Sequence, residues 1–245
     1  MLSRLRALLI TAPFIVLDTL VFGTLSMLAS LFDKTGYTQH RIARIWARAM
    51  LVVSGTRLEV EGVEKLDPNG SYVLVSNHLS LMDTPVVIAH IPLQFRFFAK
   101  EGLFRIPLLG GHLRRAGHFS VLRDNPRAGL RTMGEGARML RQHGTSVLVF
   151  PEGGRSDDGD LHEFRPGAAY IAIKGGVPAV PIGITGTREI LPMGSIQVLP
   201  GHARLLVGDP IPTTGLKPQD HARLTEELRR RIALLTGQSA PVQCK

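Results

Sequence analysis

Cysteine is almost absent from this chain of 245 residues: the one thiol, Cys244, stands one residue from the end. A single cysteine builds neither an internal disulfide framework nor a cysteine-rich zinc site, and it fits a reducing compartment. Aromatic residues are scarce as well, at 6%, and no base-stacking module is present, so nucleic acid is not expected as a partner. Carboxylates are short relative to cations, 20 Asp and Glu against 29 Lys and Arg, for a net charge of +9. Such a surface favours anions, among them phosphorylated metabolites and acidic lipid headgroups. Several motifs are missing too. No P-loop or dinucleotide fingerprint occurs, which argues against nucleotide hydrolysis and hydride transfer. The nearest approach to a serine nucleophile elbow, Gly154-Arg155-Ser156-Asp157-Asp158, lacks the second glycine. His162-Glu163 lacks the second histidine of a zinc helix, and Asp157, Asp158 and Asp160 lack the rest of a calcium loop. No cofactor and no metal are therefore expected. Repeats, low-complexity tracts and long linkers are also wanting.

What the chain does have begins at its amino end. From Ala7 to Phe32 it is almost wholly apolar, broken by Pro13, Asp18 and Gly23, and a helix of that length reaches roughly 39 Å. A cleaved signal peptide fits poorly, because the run is long and no small-x-small cleavage site precedes a polar start. A spanning helix and a helix half-immersed in one leaflet both remain; Asp18 near mid-membrane costs about 2.5 to 3.5 kcal/mol and favours a tilted or shallow helix. In the next helical stretch, Tyr37 to Val53, Arg41, Arg44 and Arg48 share one face while Ile42, Ile45, Ala49 and Val52 share another, with Trp46 between them. That pattern suits the headgroup layer of an anionic membrane. Arg4, Arg6, Lys34, Arg41, Arg44 and Arg48 outweigh Asp18 and Asp33, so residues 1–55 read as a basic, membrane-seated hairpin on the cytoplasmic face of the cell membrane.

After Gly55 short apolar runs alternate with helical patterns, which is the signature of an α/β domain over 56–245, with a mixed, largely parallel central sheet flanked by helices. Expected strands are Leu58–Val63, Tyr72–Ser76, Phe95–Phe98, His118–Val121, Ser146–Phe150, Ala179–Ile184 and Ala203–Val207. One helix follows Asp124 and Asn125, with Pro126 in its first turn, Leu130, Met133, Ala137 and Leu140 as its stripe and Gly144 as its stop. Another runs from about Pro218 to Thr236, with Gly237 after it.

Ligands in open α/β sheets bind beyond the carboxyl ends of strands, and two expected strands run straight into polar clusters. The first cluster holds His78 and Asp83. A neutral imidazole held by a carboxylate is a common device for taking a proton from a hydroxyl. Asp83, followed by Thr84 and Pro85, also suits a helix cap, and a turn through Leu79–Met82 lets both readings coexist. The second cluster is Phe150-Pro151-Glu152-Gly153-Gly154-Arg155-Ser156. Its paired glycines permit a tight loop, Arg155 offers a fork-shaped cation to phosphate, and Glu152 either holds that arginine or pins the loop backbone. Lys100, just after a strand, and Arg105 are further phosphate candidates.

Taken in order, these segments resemble the glycerolipid acyltransferases, and in particular the 1-acyl-sn-glycerol-3-phosphate acyltransferases, over roughly residues 60–210. Asn77-His78-Leu79-Ser80-Leu81-Met82-Asp83 resembles the family's histidine, four residues, aspartate motif, which implies His78 as catalytic base and Asp83 as its orienting group. Lys100–Gly110, with the Ile106-Pro107 turn, is similar to the second block. Arg123 falls where the family carries an arginine after a short strand. Residues 150–156 resemble the block implicated in binding the acceptor's phosphate, Val177-Pro178-Ala179-Val180-Pro181-Ile182 resembles the apolar fourth block, and Phe164-Arg165-Pro166-Gly167-Ala168 looks like a further family segment. Gly154 where threonine is usual, and Leu122 where an acidic residue often precedes Arg123, bear on headgroup preference. The resemblance implies acyl transfer from acyl-CoA or acyl-carrier protein to lysophosphatidate, with Lys100, Arg123, Glu152, Gly153 and Arg155 at the acceptor. Other expectations left open are an acyltransferase for another lysophospholipid or glycerol phosphate, and a non-catalytic protein that binds anionic membrane lipids.

Overall fold

Alternation of side chains along the central strands sets the layers. In a computed structural model describing residues 5–121 and 126–238, strand β2 (Val73–Ser76) buries Leu74 in one core and Val73 and Val75 in another, on opposite faces of a seven-stranded sheet. The other strands are β1 (Thr56–Glu61), β3 (Phe95–Lys100), β4 (Phe119–Val121), β5 (Ser146–Val149), β6 (Ala179–Thr185) and β7 (Gly201–Val207), in the spatial order β1-β7-β6-β2-β5-β3-β4. All neighbours are parallel except β6 and β7, which gives the mixed, largely parallel sheet that the sequence pattern predicts.

One face carries helices α2 (Tyr37–Ser54) and α3 (Asp83–His90), whose Ala47, Met50, Leu51, Val86 and Val87 pack on Leu74, Leu148, Val180 and Ile182. The other carries α5 (Pro126–His143), α6 (Gly167–Gly175) and α8 (His221–Thr236), through Ala137, Leu140, Ala169, Ile171, Leu224, Leu228 and Ile232. The short helices α4 (Leu109–Arg115) and α7 (Thr187–Ile190) complete the set. β1 begins two residues before the expected Leu58, because Gly55 in the left-handed region ends α2 and turns the chain directly into the strand. β3 runs two residues past the expected Phe98, so Lys100 is its last residue rather than the one after it.

A π-helical turn, Ala7–Thr11, leads into α1 (Ala12–Ala29), and the continuous helix of 23 residues has a mean hydropathy of 2.0. It is apolar on nearly every side and mostly uncovered by protein, with Leu9 at 63% and Leu17 at 58% exposed. That is long and apolar enough to anchor the chain in a membrane.

The basic stripe of α2 is divided: Arg41 and Arg48 are exposed, as expected, while Arg44 is drawn against α3. Arg44 donates to the carbonyls of Ile88, Ile91 and Leu93, and Arg48 to that of Ala89. The last turn of α3 presents unpaired carbonyls and the negative end of its dipole, and Arg44 and Arg48 meet both. The apolar face is left uncovered by protein, with Ile45 and Val52 exposed, and a further side that the two-face pattern does not contain, Gln39, His40, Ala43, Ala47, Met50 and Leu51, points into the core. Trp46 donates its indole N–H to Thr19 of α1 rather than lying free at a boundary. Arg44→Ala, which strands three carbonyls, is expected to cost about 2 to 4 kcal/mol, read as a shift in urea midpoint in detergent; a shift below half a kcal/mol would show these bonds to be dispensable.

Candidate active site

Three adjacent parallel strands open on one edge of the sheet. β2 lies between β5 and β6, so Asn77 and His78, Phe150–Glu152, and Gly186 and Thr187 emerge together beyond the strand ends. Asn77 locks this junction, donating from Nδ2 to the Ile184 carbonyl at 2.9 Å and accepting the Ile184 N–H on Oδ1 at 2.8 Å.

Beyond Asn77 the chain makes a turn that closes on Asp83. Oδ2 accepts the Leu79 N–H at 2.6 Å, the Ser80 N–H at 2.8 Å and His78 Nδ1–H at 2.8 Å, while Oδ1 accepts the Thr187 hydroxyl at 2.5 Å. Every neighbour is a donor, so both oxygens of the fully buried Asp83 serve as acceptors. Asp83 is not the cap of α3, as its sequence context suggests: Met82 occupies that position, and the Asp83 side chain turns back into the preceding loop. The competing acceptor role wins because two loop N–H groups and the imidazole lie behind it.

With Nδ1–H directed at Asp83, Nε2 of His78 is left as the acceptor nitrogen. His78 is 17% exposed, and Nε2 has no partner among the described residues. Phe150 stacks on the ring at 4.1 Å between centroids and 18° between planes, which fixes the imidazole plane and shields one face from water. The backbone is clamped as well: His78 N–H donates to Glu152 Oε1 at 2.8 Å, and the His78 carbonyl accepts the Ser156 N–H at 2.8 Å.

Of the two roles open to Glu152, the structure shows the second. Its other oxygen accepts the His162 N–H at 3.1 Å, so one carboxylate ties both ends of the 152–162 loop to the histidine strand. Burial pushes the Glu152 carboxyl upward, offset in part by the two N–H donors. Glu152→Gln turns an amide N–H toward a backbone N–H and is expected to cost about 1 to 3 kcal/mol; turnover should fall together with protection of the His78 amide from hydrogen exchange, and unchanged protection would remove the positioning role.

Arg155 is half-buried, Lys100 is exposed at the end of β3 beside β5, and neither has an ion-pair partner among the described residues. Gly153 adopts φ +77°, and a Cβ there would meet the Arg165 guanidinium at 3.0 Å, so a second arginine lies against the glycine loop. Arg123 lies outside the described residues. Arg105 pairs with Glu101 at the surface. Asp158 accepts the Ser156 hydroxyl, the Asp160 N–H and His162 Nε2, making an exposed loop brace.

Thr187 and the placement of Arg165 escape a reading of local motifs. Thr187 follows β6, about a hundred residues from Asp83, and only the common strand edge hints at it. Arg165 sits inside a recognisable segment, yet nothing local says that it folds over Gly153.

Known proteins with this arrangement point one way. A family model described as Acyltransferase matches residues 57–185. The chain is 32% identical over 217 residues to a chloroplast 1-acyl-sn-glycerol-3-phosphate acyltransferase of Arabidopsis thaliana, covering 85% of this chain and 60% of the relative. It is 30% identical to the alpha form from Bos taurus over 192 residues, 78% of this chain and 67% of that one. The crystal structure of the 1-acyl-sn-glycerophosphate acyltransferase from Thermotoga maritima superposes with a TM-score of 0.78 at 25% identity, covering 97% of this chain and 98% of that one. The chain spans about three fifths of the length of the plant relatives. With the family model covering more than half of its length, this chain belongs to the acyltransferase family.

Proposed function

We propose that the chain transfers a fatty acyl group from acyl-CoA or acyl-carrier protein to the sn-2 hydroxyl of lysophosphatidate, giving phosphatidate. The observation that carries this reading is the imidazole of His78, oriented through Nδ1 by a four-donor-held Asp83 and free at Nε2, at the end of a strand beside a glycine loop flanked by unpaired arginines. Nε2 takes the proton of the acceptor hydroxyl as its oxygen attacks the thioester carbonyl. The C–S bond then breaks, and the imidazolium returns the proton to the leaving thiolate. No covalent enzyme intermediate is required, consistent with the missing serine elbow. Arg155, Arg165 and Lys100 hold the acceptor phosphate, Gly153 lets the loop approach it, Arg123 is assigned to the same task by resemblance, and Glu152 acts by positioning. Residues 1–55 seat the enzyme in the bilayer that holds its lysolipid, on the cytoplasmic side where the soluble thioester donor is made, and 56–245 perform the chemistry.

Thiol release from acyl-CoA and from acyl-carrier protein, followed with a panel of lysolipids, tests this directly. Release is expected to depend on lysophosphatidate; no release with any lysolipid, from either donor, would leave the reading without support. Arg155→Leu is expected to raise KM for lysophosphatidate about 10- to 100-fold, the worth of one charge-assisted phosphate contact of about 1.5 to 3 kcal/mol, with much less effect on KM for the donor. Equal effects on both would move Arg155 away from the acceptor.

A further inference from the structure

A basic cleft of about 550 Å³ opens beside the foot of the apolar helix, lined by Arg6, Gly55, Thr56, Arg57, Pro200, Gly201 and His202. Its lining contains three nitrogen-bearing side chains and no carboxylate. Arg57 and His202 are direct partners in the β1–β7 register, both exposed, and neither has an ion-pair partner among the described residues. The acids that follow on the same face are already taken: Glu59 and Glu61 both bind Arg204, at 3.1 and 2.8 Å. Arg6 reaches in from the start of the apolar helix, donating one N–H to the Val53 carbonyl at 3.2 Å and lying over Gly55, where a Cβ would be 3.2 Å from its guanidinium. Its remaining N–H groups are available. The cleft therefore concentrates positive charge where the membrane helix meets the sheet.

Its position matters as much as its charge. β7 runs antiparallel to β6, so the amino ends of β7 and β1 lie on the same sheet edge as the carboxyl end of β6. The His202 carbonyl packs against Gly186, next to Thr187, which holds Asp83. By strand spacing the cleft and His78 are roughly 10 to 15 Å apart along that edge.

We propose that this cleft is a second phosphate-binding site, in which Arg57 and His202, with Arg6, bind the phosphate group of a molecule lying along the active-site edge. Two sources supply that chemistry at this place: the headgroup of an anionic phospholipid in the host bilayer, and the phosphates of the soluble acyl donor. A phosphate between the Arg57 guanidinium and the His202 imidazole, with Arg6 at the membrane entry, receives hydrogen bonds from separate elements, and removing one arginine near an anionic surface costs about fivefold in affinity.

The test uses the full chain with Arg57→Gln and Arg57→Gln/His202→Gln, sparing Arg6 because it also satisfies a helix carbonyl. Arg138→Gln, an exposed charge on α5 across the sheet, serves as control. In one arm, binding is measured to vesicles of phosphatidylcholine with and without phosphatidylglycerol. In the other, KM is measured in neutral detergent for acyl-CoA and for acyl-pantetheine, which lacks the donor phosphates. Loss of about fivefold or more in the added affinity for phosphatidylglycerol assigns the site to lipid; a rise of that size in KM for acyl-CoA alone assigns it to the donor. The vesicle arm is independent of the acyl-transfer reading, on which the donor arm rests. Affinity and KM both unchanged within twofold, or an equal loss in Arg138→Gln, would overturn the proposal.

Discussion

His78→Ala is expected to lower acyl transfer about a thousandfold, in the range that a positioned general base supplies, while leaving the fold nearly as stable as before. The ring is partly open to solvent, and its side chain holds only the Asp83 hydrogen bond and the stack with Phe150. Asp83→Asn should show the opposite balance. Three donors converge on Oδ2 and one hydroxyl on Oδ1, so the amide can avoid opposing N–H groups only by placing its nitrogen at Thr187, whose hydroxyl then rotates to accept. Geometry survives and the charge does not. Turnover should fall about a hundredfold, because the imidazolium formed during transfer loses its counter-charge, and stability should fall by about 2 to 3 kcal/mol as charge-assisted bonds become neutral ones. Since the two residues act as one unit, the double variant should be little slower than His78→Ala alone. Thiol-release rates and urea midpoints for the three variants decide the matter: effects that multiply would mean that Asp83 acts apart from His78, and an active His78→Ala would end its assignment as the base.

The same contrast between near and distant partners explains how much was legible beforehand. His78 and Asp83 are five residues apart, and strands β2 and β5 announce themselves as apolar runs ending in polar residues, so the pair and the sheet edge could be read from spacing. Thr187 and Glu152 complete the pair from across the fold. Their roles depend on β6, β2 and β5 being neighbours, an order that no local pattern encodes. α2 is only partly legible for a related reason. Its arginines do form a polar stripe, but helical periodicity says only which residues share a face, not whether that face meets water or the carbonyls of another helix. The end of α3 supplies the carbonyls for Arg44 and Arg48, while Arg41 stays in the open and a third side of the helix packs on the sheet. Lys100 and Arg155 were legible as cations near strand ends; that Arg165 joins them across Gly153 required the backbone.

Acidification from pH 7 to 5 is expected to destabilise the protein, with about 6 kcal/mol contributed by three histidines buried where the amino-terminal helices meet the sheet. His40 of α2 stands edge-on to Phe95, His112 of α4 contacts the Ser26 hydroxyl of α1 at 2.6 Å, and His118 accepts the Phe97 N–H. Burial, with Arg44 and Arg96 next to it, lowers His40 to about 3; burial and Arg96 lower His112 to about 4; His118 is held well below its usual range by burial first, and then by the neighbouring His112, Arg96 and His40. An unfolded histidine titrates near 6.5. Below that value the unfolded chain binds protons that the folded chain refuses, so stability falls with pH by about 1.4 kcal/mol per unit for each histidine, or about 2 kcal/mol each by pH 5. Carboxylates with lowered pKa, such as Asp33 and Glu227, lose their contribution only below the ordinary carboxylate range. Glu152 and Asp18, raised by burial, and His162, raised by its hydrogen bond to Asp158, have the opposite sign and offset part of the loss, while the half-buried His90, lowered by burial, adds to it. In the interval from 6.5 to 5 the buried histidines are the largest set of groups of one sign, and a loss of this size is comparable with the whole stability of an ordinary domain. Urea midpoints across that interval should slope steeply for the native chain, and His112→Asn, which keeps a partner for Ser26 without a titrating ring, should flatten the slope by about a third. A native slope equivalent to less than about 2 kcal/mol in total would mean that the junction admits the protons, and that the helices stay docked in acid.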